Sequence, residues 1–353
     1  MSVPPVAILF HAWLTAPLNS FVTWIQNQGV WSPLLFVLLF LASSLLMIWA
    51  LEAMNAGGLE GTVLGTLITP YCTGIGNLLV AFVIGRDGGP GGEVMTNAIV
   101  NNVTNMTLLI GLPAIFWTMN VLPQKTAARR KKKKSSNNRV HEINRLSLLL
   151  TLTAVLFFTG AVWALGRDGK LDFGDGLVLV GLFLFWQLFH VYDVLKSNVQ
   201  KNKSLDWTLL LYLGALLAAA YLQYLSIDWL DQWLKHRQGG FLSFKNMGLL
   251  SGLLCALPNG LLAIYYGWRG NPEIVYTSQV GDGHICIPLC VGIFAIYHTF
   301  TVPAVFQVGM YVLIGATLVH MFCVLAFGQL PRLVGIALVL AYAVFLAKDL
   351  LPN

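Results

Sequence analysis

Apolar runs of about 20 residues recur along this chain from residue 33 onward, and they constrain its fold more than any other feature. Each run is long enough to cross roughly 30 Å of hydrocarbon as a helix. Hydrophobic residues make up 57% of the sequence and charged residues only 10%. Because backbone polar groups inside a bilayer must be satisfied within the segment, the runs predict helices. We therefore predict an all-α polytopic membrane protein.

Hydropathy predicts about ten transmembrane helices. The predicted spans are residues 33–54, 61–85, 94–122, 146–166, 174–195, 207–226, 245–267, 278–298, 302–328 and 332–350. Residues 1–32 are rich in tryptophan and broken by prolines, which is typical of a segment that lies at the membrane interface. The spans divide into two five-helix halves, residues 33–195 and 207–353, which are joined by a linker at 196–206.

Positive charge is concentrated in the loop at residues 123–145. Nine of the 21 Lys and Arg residues lie there, including four consecutive lysines at 131–134, and three more lysines follow within 196–203. The positive-inside rule predicts that both loops are cytoplasmic and that both termini are outside. We expect the chain to lie in the plasma (inner) membrane. The net charge of +6 is thus a signal of topology in the lipid bilayer and does not indicate nucleic-acid binding.

Two of the predicted spans carry polar side chains that a membrane helix should avoid. Asn97, Asn101 and Asn105 fall on one stripe of the third span, and Thr73 and Asn77 lie in the second. An amide without a hydrogen bond inside a bilayer costs several kcal/mol. Such a stripe either lines a polar cavity or joins neighbouring helices through hydrogen bonds.

The second and third spans have a counterpart in the seventh and eighth. Asn101 follows Asn77 after 24 residues, and Asp282 follows Asn259 after 23 residues. Because five spans separate the two copies, the copies cross the membrane in opposite directions. Inverted repeats of this kind place the substrate site of a transporter near the midplane of the membrane, between the repeats.

Asp282 lies inside the hydrophobic stretch of its hairpin, and intramembrane acids are functional candidates. The alternative is an aspartate that only joins helices through hydrogen bonds to asparagines. A carboxylate in this position would bind either a cation or a proton, so the two ligands would compete. His284, about 200° further around the helix, is a second candidate proton site, and a packing role for it is equally open.

Two motif pairs carry a resemblance to a known family. The first pair is CTGIGN at residues 72–77 and LCALPN at 254–259, and the second is TNAIVNN at 96–102 and TSQVGDG at 277–283. These hairpins resemble the α-repeats of the calcium:cation antiporter superfamily, which includes the sodium/calcium exchangers. The resemblance implies two inverted five-helix repeats. It also implies a secondary active cation transporter that works by alternating access around a midplane site.

The resemblance also implies which residues bind the ion. The family's two ion-binding glutamates fall on Asn77 and Asn259, so this site carries at most one negative charge, from Asp282. Calcium affinity rises with the number of carboxylates, which makes Na⁺ or H⁺ coupling more consistent with the residues than Ca²⁺ exchange. The implied ion-binding residues are Asn77, Asn259, Asp282, Asn101, Asn97, Ser278, Thr73 and Asn105.

Two other functional classes compete with transport. The loss of both glutamates also fits a non-transporting membrane scaffold or sensor derived from the same fold. An enzyme is not expected, because the sequence contains no HExxH motif, no paired-Asp diphosphate motif and no Gly-x-Ser-x-Gly elbow in a suitable place. We expect no cofactor, and small inorganic cations (Na⁺, H⁺ or Ca²⁺) as partners. The sequence does not define an oligomeric state.

Overall fold

A computed structural model describes residues 20–56, 69–117, 119–120, 134–198, 207–237 and 240–350, and most of them are helical. In chain order the long helices are α1 (Ser32–Ala56), α2 (Thr69–Arg86), α3 (Gly91–Phe116), α4 (Lys134–Leu165), α5 (Phe173–Asn198), α6 (Trp207–Lys235), α7 (Met247–Trp268), α8 (residues 272–297), α9 (Val305–Ala326) and α10 (Arg332–Leu350).

The hydropathy of these helices is that of a multi-pass membrane protein. Seven stretches in the described residues are long and apolar enough to cross a bilayer, and shorter apolar stretches lie in α2 and α5. The exact number of spans stays a prediction. Residues 1–19, 57–68 and 199–206 lie outside the described part of the chain, as do residues 121–133, which hold six of the nine basic residues of the predicted loop.

Two helices extend well beyond the spans predicted from hydropathy. Helix α4 begins at Lys134, inside the predicted loop, and helix α6 continues to Lys235, nine residues past the predicted end at 226. The extension of α4 is polar, and acids interrupt the apolar residues in the extension of α6, so a search for uninterrupted apolar runs detects neither. The extension of α6 is held by ion pairs that only the tertiary structure brings together.

These ion pairs connect the end of α6 to the turn between α2 and α3. Arg86 Nη2 lies 2.6 Å from Asp228 Oδ1, and Lys235 Nζ lies 2.7 Å from Asp87 Oδ2 and 2.6 Å from Asp231 Oδ2. Hydrogen bonds from Arg86 and then from Lys235 hold the pKa of Asp87 well below its ordinary value. The network fixes the position of α6 relative to α2.

Four two-residue strands join the two halves of the chain. Strand β1 (Met119–Asn120) pairs with β4 (Gln329–Leu330), and β2 (Lys170–Leu171) pairs with β3 (Phe300–Thr301), both antiparallel. Strand β1 follows α3 and β3 follows α8, while β2 follows α4 and β4 follows α9. Exchanging the halves therefore exchanges the two strand pairs, as expected for a two-fold repeat.

Helix packing has the same internal symmetry. Helix α1 packs on α6 and α4 packs on α9, so each of these pairs joins equivalent helices of the two halves. Helix α10 packs on the second part of α3, and α5 packs on the second part of α8. Helices α3 and α8 are the most enclosed, with 78% and 75% of their apolar stretches buried, whereas only 28% of the stretch in α6 is buried. The repeat hairpins therefore form the centre of the molecule.

Helices α3 and α8 each contain a π-helical turn at an equivalent place. These turns are Thr104–Leu108 in α3 and Cys286–Cys290 in α8. A π-turn widens the helix and shifts the register of the side chains on either side, and such turns occur frequently at functional sites. One of them places Asn105 on the face of α3 that meets α8.

Glycines allow close helix contacts at two repeat-related places. A Cβ atom on Gly176 of α5 would lie 2.7 Å from the carbonyl oxygen of Gly292 in α8. A Cβ atom on Gly111 of α3 would lie 2.9 Å from the carbonyl oxygen of Gly335 in α10. Small residues at membrane helix interfaces let the two backbones approach, and here they bring the outer helices onto the central pair.

We expect Gly176→Ala to destabilise the protein by about 1–3 kcal/mol, because the new methyl group meets backbone atoms that cannot move aside. Gly181→Ala is a matched control on the same helix, where a Cβ atom would meet nothing within 4 Å. Thermal unfolding of the purified variants in detergent measures the effect. Equal melting temperatures for the two variants would show that α5 and α8 are not in close contact.

Candidate cation-binding site

The side chain of Asp282 lies where helices α3, α7 and α8 meet, and only 1% of its surface is exposed. Its Oδ2 atom accepts hydrogen bonds from Asn101 Nδ2 at 2.8 Å and from Asn105 Nδ2 at 2.8 Å. A third bond comes from Asn259 Nδ2 at 3.2 Å. Two amides of the first repeat and one of the second thus meet at one carboxylate oxygen.

The chemistry of the groups fixes the orientation of these amides. An ionised carboxylate only accepts hydrogen bonds, so each asparagine must turn its NH₂ group toward Asp282. The amide oxygens then point away from the carboxylate. Hydrogen bonds to a charged acceptor are stronger than neutral ones, at about 1.5–3 kcal/mol each. The three donors therefore stabilise a negative charge that would otherwise be expensive inside the membrane.

Several buried amide atoms of the predicted site residues have no hydrogen-bond partner among the described residues. They include both Nδ2 and Oδ1 of Asn77, and Oδ1 of Asn101. The side chains of Asn77 and Asn101 are fully buried. Buried polar atoms are ordinarily satisfied, and an exception points to a bound water or ion. The oxygens of these two amides are suitable ligands for a small cation.

Of the remaining predicted site residues, Asn97 and Ser278 form hydrogen bonds with groups other than Asp282. Asn97 Nδ2 donates to Ser251 Oγ at 3.0 Å, which joins α3 to α7 one turn away from Asn101. Ser278 is half-buried and donates to a backbone carbonyl of its own helix, so the structure does not bring its hydroxyl to Asp282. The side chains of Thr73 and His284 lie outside the described part of the structure.

The structure adds contacts that the sequence did not single out. Gln279 Nε2 donates to the backbone oxygen of Asn259 at 3.3 Å, and Ser251 holds Asn97. Asn101 Nδ2 also lies 3.6 Å from Cys286 Sγ. Gln279 belongs to the second repeat motif, three residues before Asp282. Ser251 lies two helical turns before Asn259, and this spacing could have indicated a shared face.

Asp282 stands among neutral amides and apart from the other carboxylates of the described residues. Among the residues that the structure describes, no group of three or more His, Cys, Asp or Glu is placed to hold a metal ion. Asp282 is accompanied by neutral amides, and the other buried carboxylate in the described residues, Asp231, pairs with Lys235 at the end of α6. One carboxylate with amide oxygens suits a single monovalent cation or a proton, whereas calcium prefers several carboxylates.

The sequence profile of the sodium/calcium exchanger protein family matches residues 8–192, which is more than half of the chain. The chain belongs to the sodium/calcium exchanger family. Members of this family are transporters and not enzymes, which confirms the expectation from the motifs. No curated protein matches the sequence.

Solved structures of the sodium-calcium exchanger NCX_Mj share the fold of this family member. The form soaked with 2.5 mM Na⁺ and 10 mM Sr²⁺ has a TM-score of 0.63 at 17% identity, over 90% of this chain and 97% of that chain. The form soaked with 10 mM Na⁺ and zero Ca²⁺ has a TM-score of 0.64 at 18% identity, over 89% and 96%. The all-α polytopic fold predicted from the sequence is confirmed.

We expect Asn105→Leu to lower the free energy of unfolding by about 1.5–3 kcal/mol, because it removes a hydrogen-bond donor from a buried charge. In an Asp282→Asn background the same substitution should lower the free energy of unfolding by a smaller amount. The difference is the coupling energy between the two residues, about 0.5–3 kcal/mol. Chemical unfolding in detergent micelles measures both values. The control is Asn102→Leu, because Asn102 donates to Ala98 O in its own helix and not to Asp282. Equal costs of Asn105→Leu in the two backgrounds would show that Asp282 and Asn105 do not interact.

Proposed function

We propose that this protein is a secondary active cation antiporter that carries Na⁺ or H⁺ at Asp282, by alternating access between its two repeats. One observation carries the proposal: amides of both repeats converge on a single buried carboxylate. Membership of the exchanger family supports cation transport, and the internal two-fold pattern of helices and strands supports alternating access around a central site.

Neutral amides allow the site to hold the carboxylate and the cation with the same residues. The N–H end of Asn101 or Asn259 donates to Asp282, and rotation of the amide turns its oxygen toward a cation beside the carboxylate. A proton on Asp282 would remove the negative charge that attracts Na⁺. Protons and sodium ions therefore compete for one charge, which provides a direct route to coupled exchange.

Calcium is a weaker candidate for the transported ion on electrostatic grounds. Ca²⁺ takes six to eight oxygen ligands and gains affinity with each carboxylate. Asn77 and Asn259 stand at the positions of the family's two glutamates, so the charge of the site falls from about −2 to about −1. A dehydrated monovalent ion is balanced by Asp282 alone.

The orientation in the membrane follows from the distribution of charge. We propose that the basic segments at residues 123–145 and 196–203 face the cytoplasm and that both termini lie outside. The turn between α2 and α3 would then be at the outer face, together with its ion pairs to the end of α6. Alternating access would rock the outer helices of both membrane halves, 33–195 and 207–353, against the core formed by the two repeat hairpins.

A second candidate is a non-transporting scaffold or sensor with the same fold. The observation that favours it is the amide at both glutamate positions, Asn77 and Asn259. Such a protein would keep the hydrogen bonds around Asp282 as a structural core. It would show no cation flux, and cation-dependent stability would not change in Asp282→Asn.

Flux into proteoliposomes under imposed Na⁺, H⁺ or Ca²⁺ gradients tests the proposal. We expect exchange of Na⁺ or H⁺ by the wild-type protein, and a loss of about 100-fold in Asp282→Asn because a charged ligand is removed. Asp231→Asn is the control, since Asp231 is equally buried but lies at the end of α6. Absence of flux for every cation, with folded protein in the liposomes, would support the scaffold instead.

The same assay distinguishes a monovalent from a divalent site. Asn259→Glu adds a second carboxylate beside Asp282, and we expect it to raise the affinity for Ca²⁺ by about tenfold or more. If wild-type protein already exchanges Ca²⁺ as well as Na⁺ and Asn259→Glu has no effect, the charge of the site does not select the ion.

A further inference from the structure

A small cavity lies between the α1–α6 helix pair and the carboxylate site. Its volume is about 20 Å³. Polar groups on three helices line it, namely Ser44 of α1, Gln223 of α6 and Asn259 of α7, and Cys255 and Pro258 close one side. A volume of this size holds one water-sized species.

Gln223 has a buried side-chain amide of which only the nitrogen is hydrogen-bonded to a described residue. Only 3% of its surface is exposed, and its Nε2 donates to Ser44 Oγ at 2.9 Å. Ser44 in turn donates to the backbone oxygen of Phe40 at 2.7 Å. The Oε1 atom of Gln223 has no hydrogen-bond partner among the described residues. A buried carbonyl oxygen without a partner is costly, so a ligand that satisfies it is favoured.

The contact between Ser44 and Gln223 lies at the crossing of two equivalent helices. The two residues are 179 positions apart, close to the 182 positions between Asn77 and Asn259. Around them the α1–α6 contact is apolar, with Met47 of α1 among its buried residues. The hydrogen bond to Ser44 uses only the nitrogen of the glutamine amide and leaves its oxygen for another partner.

Asn259 connects this cavity to the carboxylate. Its Nδ2 donates to Asp282 Oδ2 at 3.2 Å, and Asn259 also lines the cavity. The amide carries an acceptor oxygen beside its N–H donors, so one side chain can contact both the carboxylate and a cation. The N–H bond to Asp282 also polarises the amide, which makes its oxygen a better ligand for positive charge.

We propose that Gln223, Ser44 and Asn259 form a second binding position for the transported monovalent cation, adjacent to Asp282. This inference rests on the proposed function and adds a ligand from α6, outside the two repeat hairpins. The ligands are neutral oxygens, so the cation binds there more weakly than beside Asp282. A weak position next to a strong one lets an ion leave the carboxylate in two small steps.

Uptake of radioactive sodium by proteoliposomes tests the second position. We expect Gln223→Leu, which removes the oxygen at similar size, to raise the KM for Na⁺ by about five- to tenfold. Stabilisation of the purified variant by saturating Na⁺ should persist, because Asp282 is intact. The matched control is Gln187→Leu on α5, a buried glutamine whose amide also has no partner among the described residues and which does not line the cavity. Its KM should equal that of the wild type.

A second variant keeps the test decisive if Gln223→Leu does not fold. Gln223→Glu retains the size of the side chain and adds a charge, and it should lower the KM for Na⁺ and make it strongly pH-dependent. Unchanged KM values in every Gln223 variant that folds would overturn the second position and identify its occupant as water. Wild-type protein that takes up no sodium at all would instead overturn sodium transport, and with it this inference.

Discussion

One buried carboxylate, held by three amide donors, is the interaction on which the rest of this structure depends. Inside a membrane an uncompensated charge is very costly, so Asp282 requires Asn101, Asn105 and Asn259 at hydrogen-bond distance. These donors come from α3 and α7, in different halves of the chain. The two-fold packing, the π-turns and the glycine contacts bring them together on α8. The same helix contacts therefore stabilise the fold and assemble the site.

The choice of amides over acids changes what the site can bind. A pair of glutamates must be neutralised by a divalent ion, by several monovalent ions or by protons. Asparagines at positions 77 and 259 keep oxygen ligands in place without adding charge. Gln223 extends the same principle to α6, because it supplies an oxygen without a charge.

Much of this fold could be predicted from the sequence, because apolar runs and a repeated interval are local patterns. The spacing from Asn77 to Asn101 and from Asn259 to Asp282 was sufficient to place the two hairpins opposite each other. The start of α4 was missed because its residues are polar, and the end of α6 because acids interrupt its apolar residues. Helix α6 is long because Arg86 and Lys235 form ion pairs with acids distant in the sequence.

The candidate site was predictable only in part. Asn101, Asn105, Asn259 and Asp282 were identified by their stripe and their repeat, and the structure brings them together. The hydroxyl of Ser278 was expected beside them but bonds within its own helix. Gln223 was missed because its partner Ser44 lies 179 residues away and neither residue belongs to a repeat motif. Only the tertiary structure places the pair next to Asn259.

The central claim is that one carboxylate holds one monovalent cation in competition with one proton. Isothermal titration of the purified protein with Na⁺ over a range of pH tests it most directly. The account predicts one tightly bound Na⁺ per chain, with an apparent Kd that rises about tenfold for each unit of pH below the pKa of the site. Two or more Na⁺ ions bound with equal affinity, or a Ca²⁺ affinity above that for Na⁺, would contradict it.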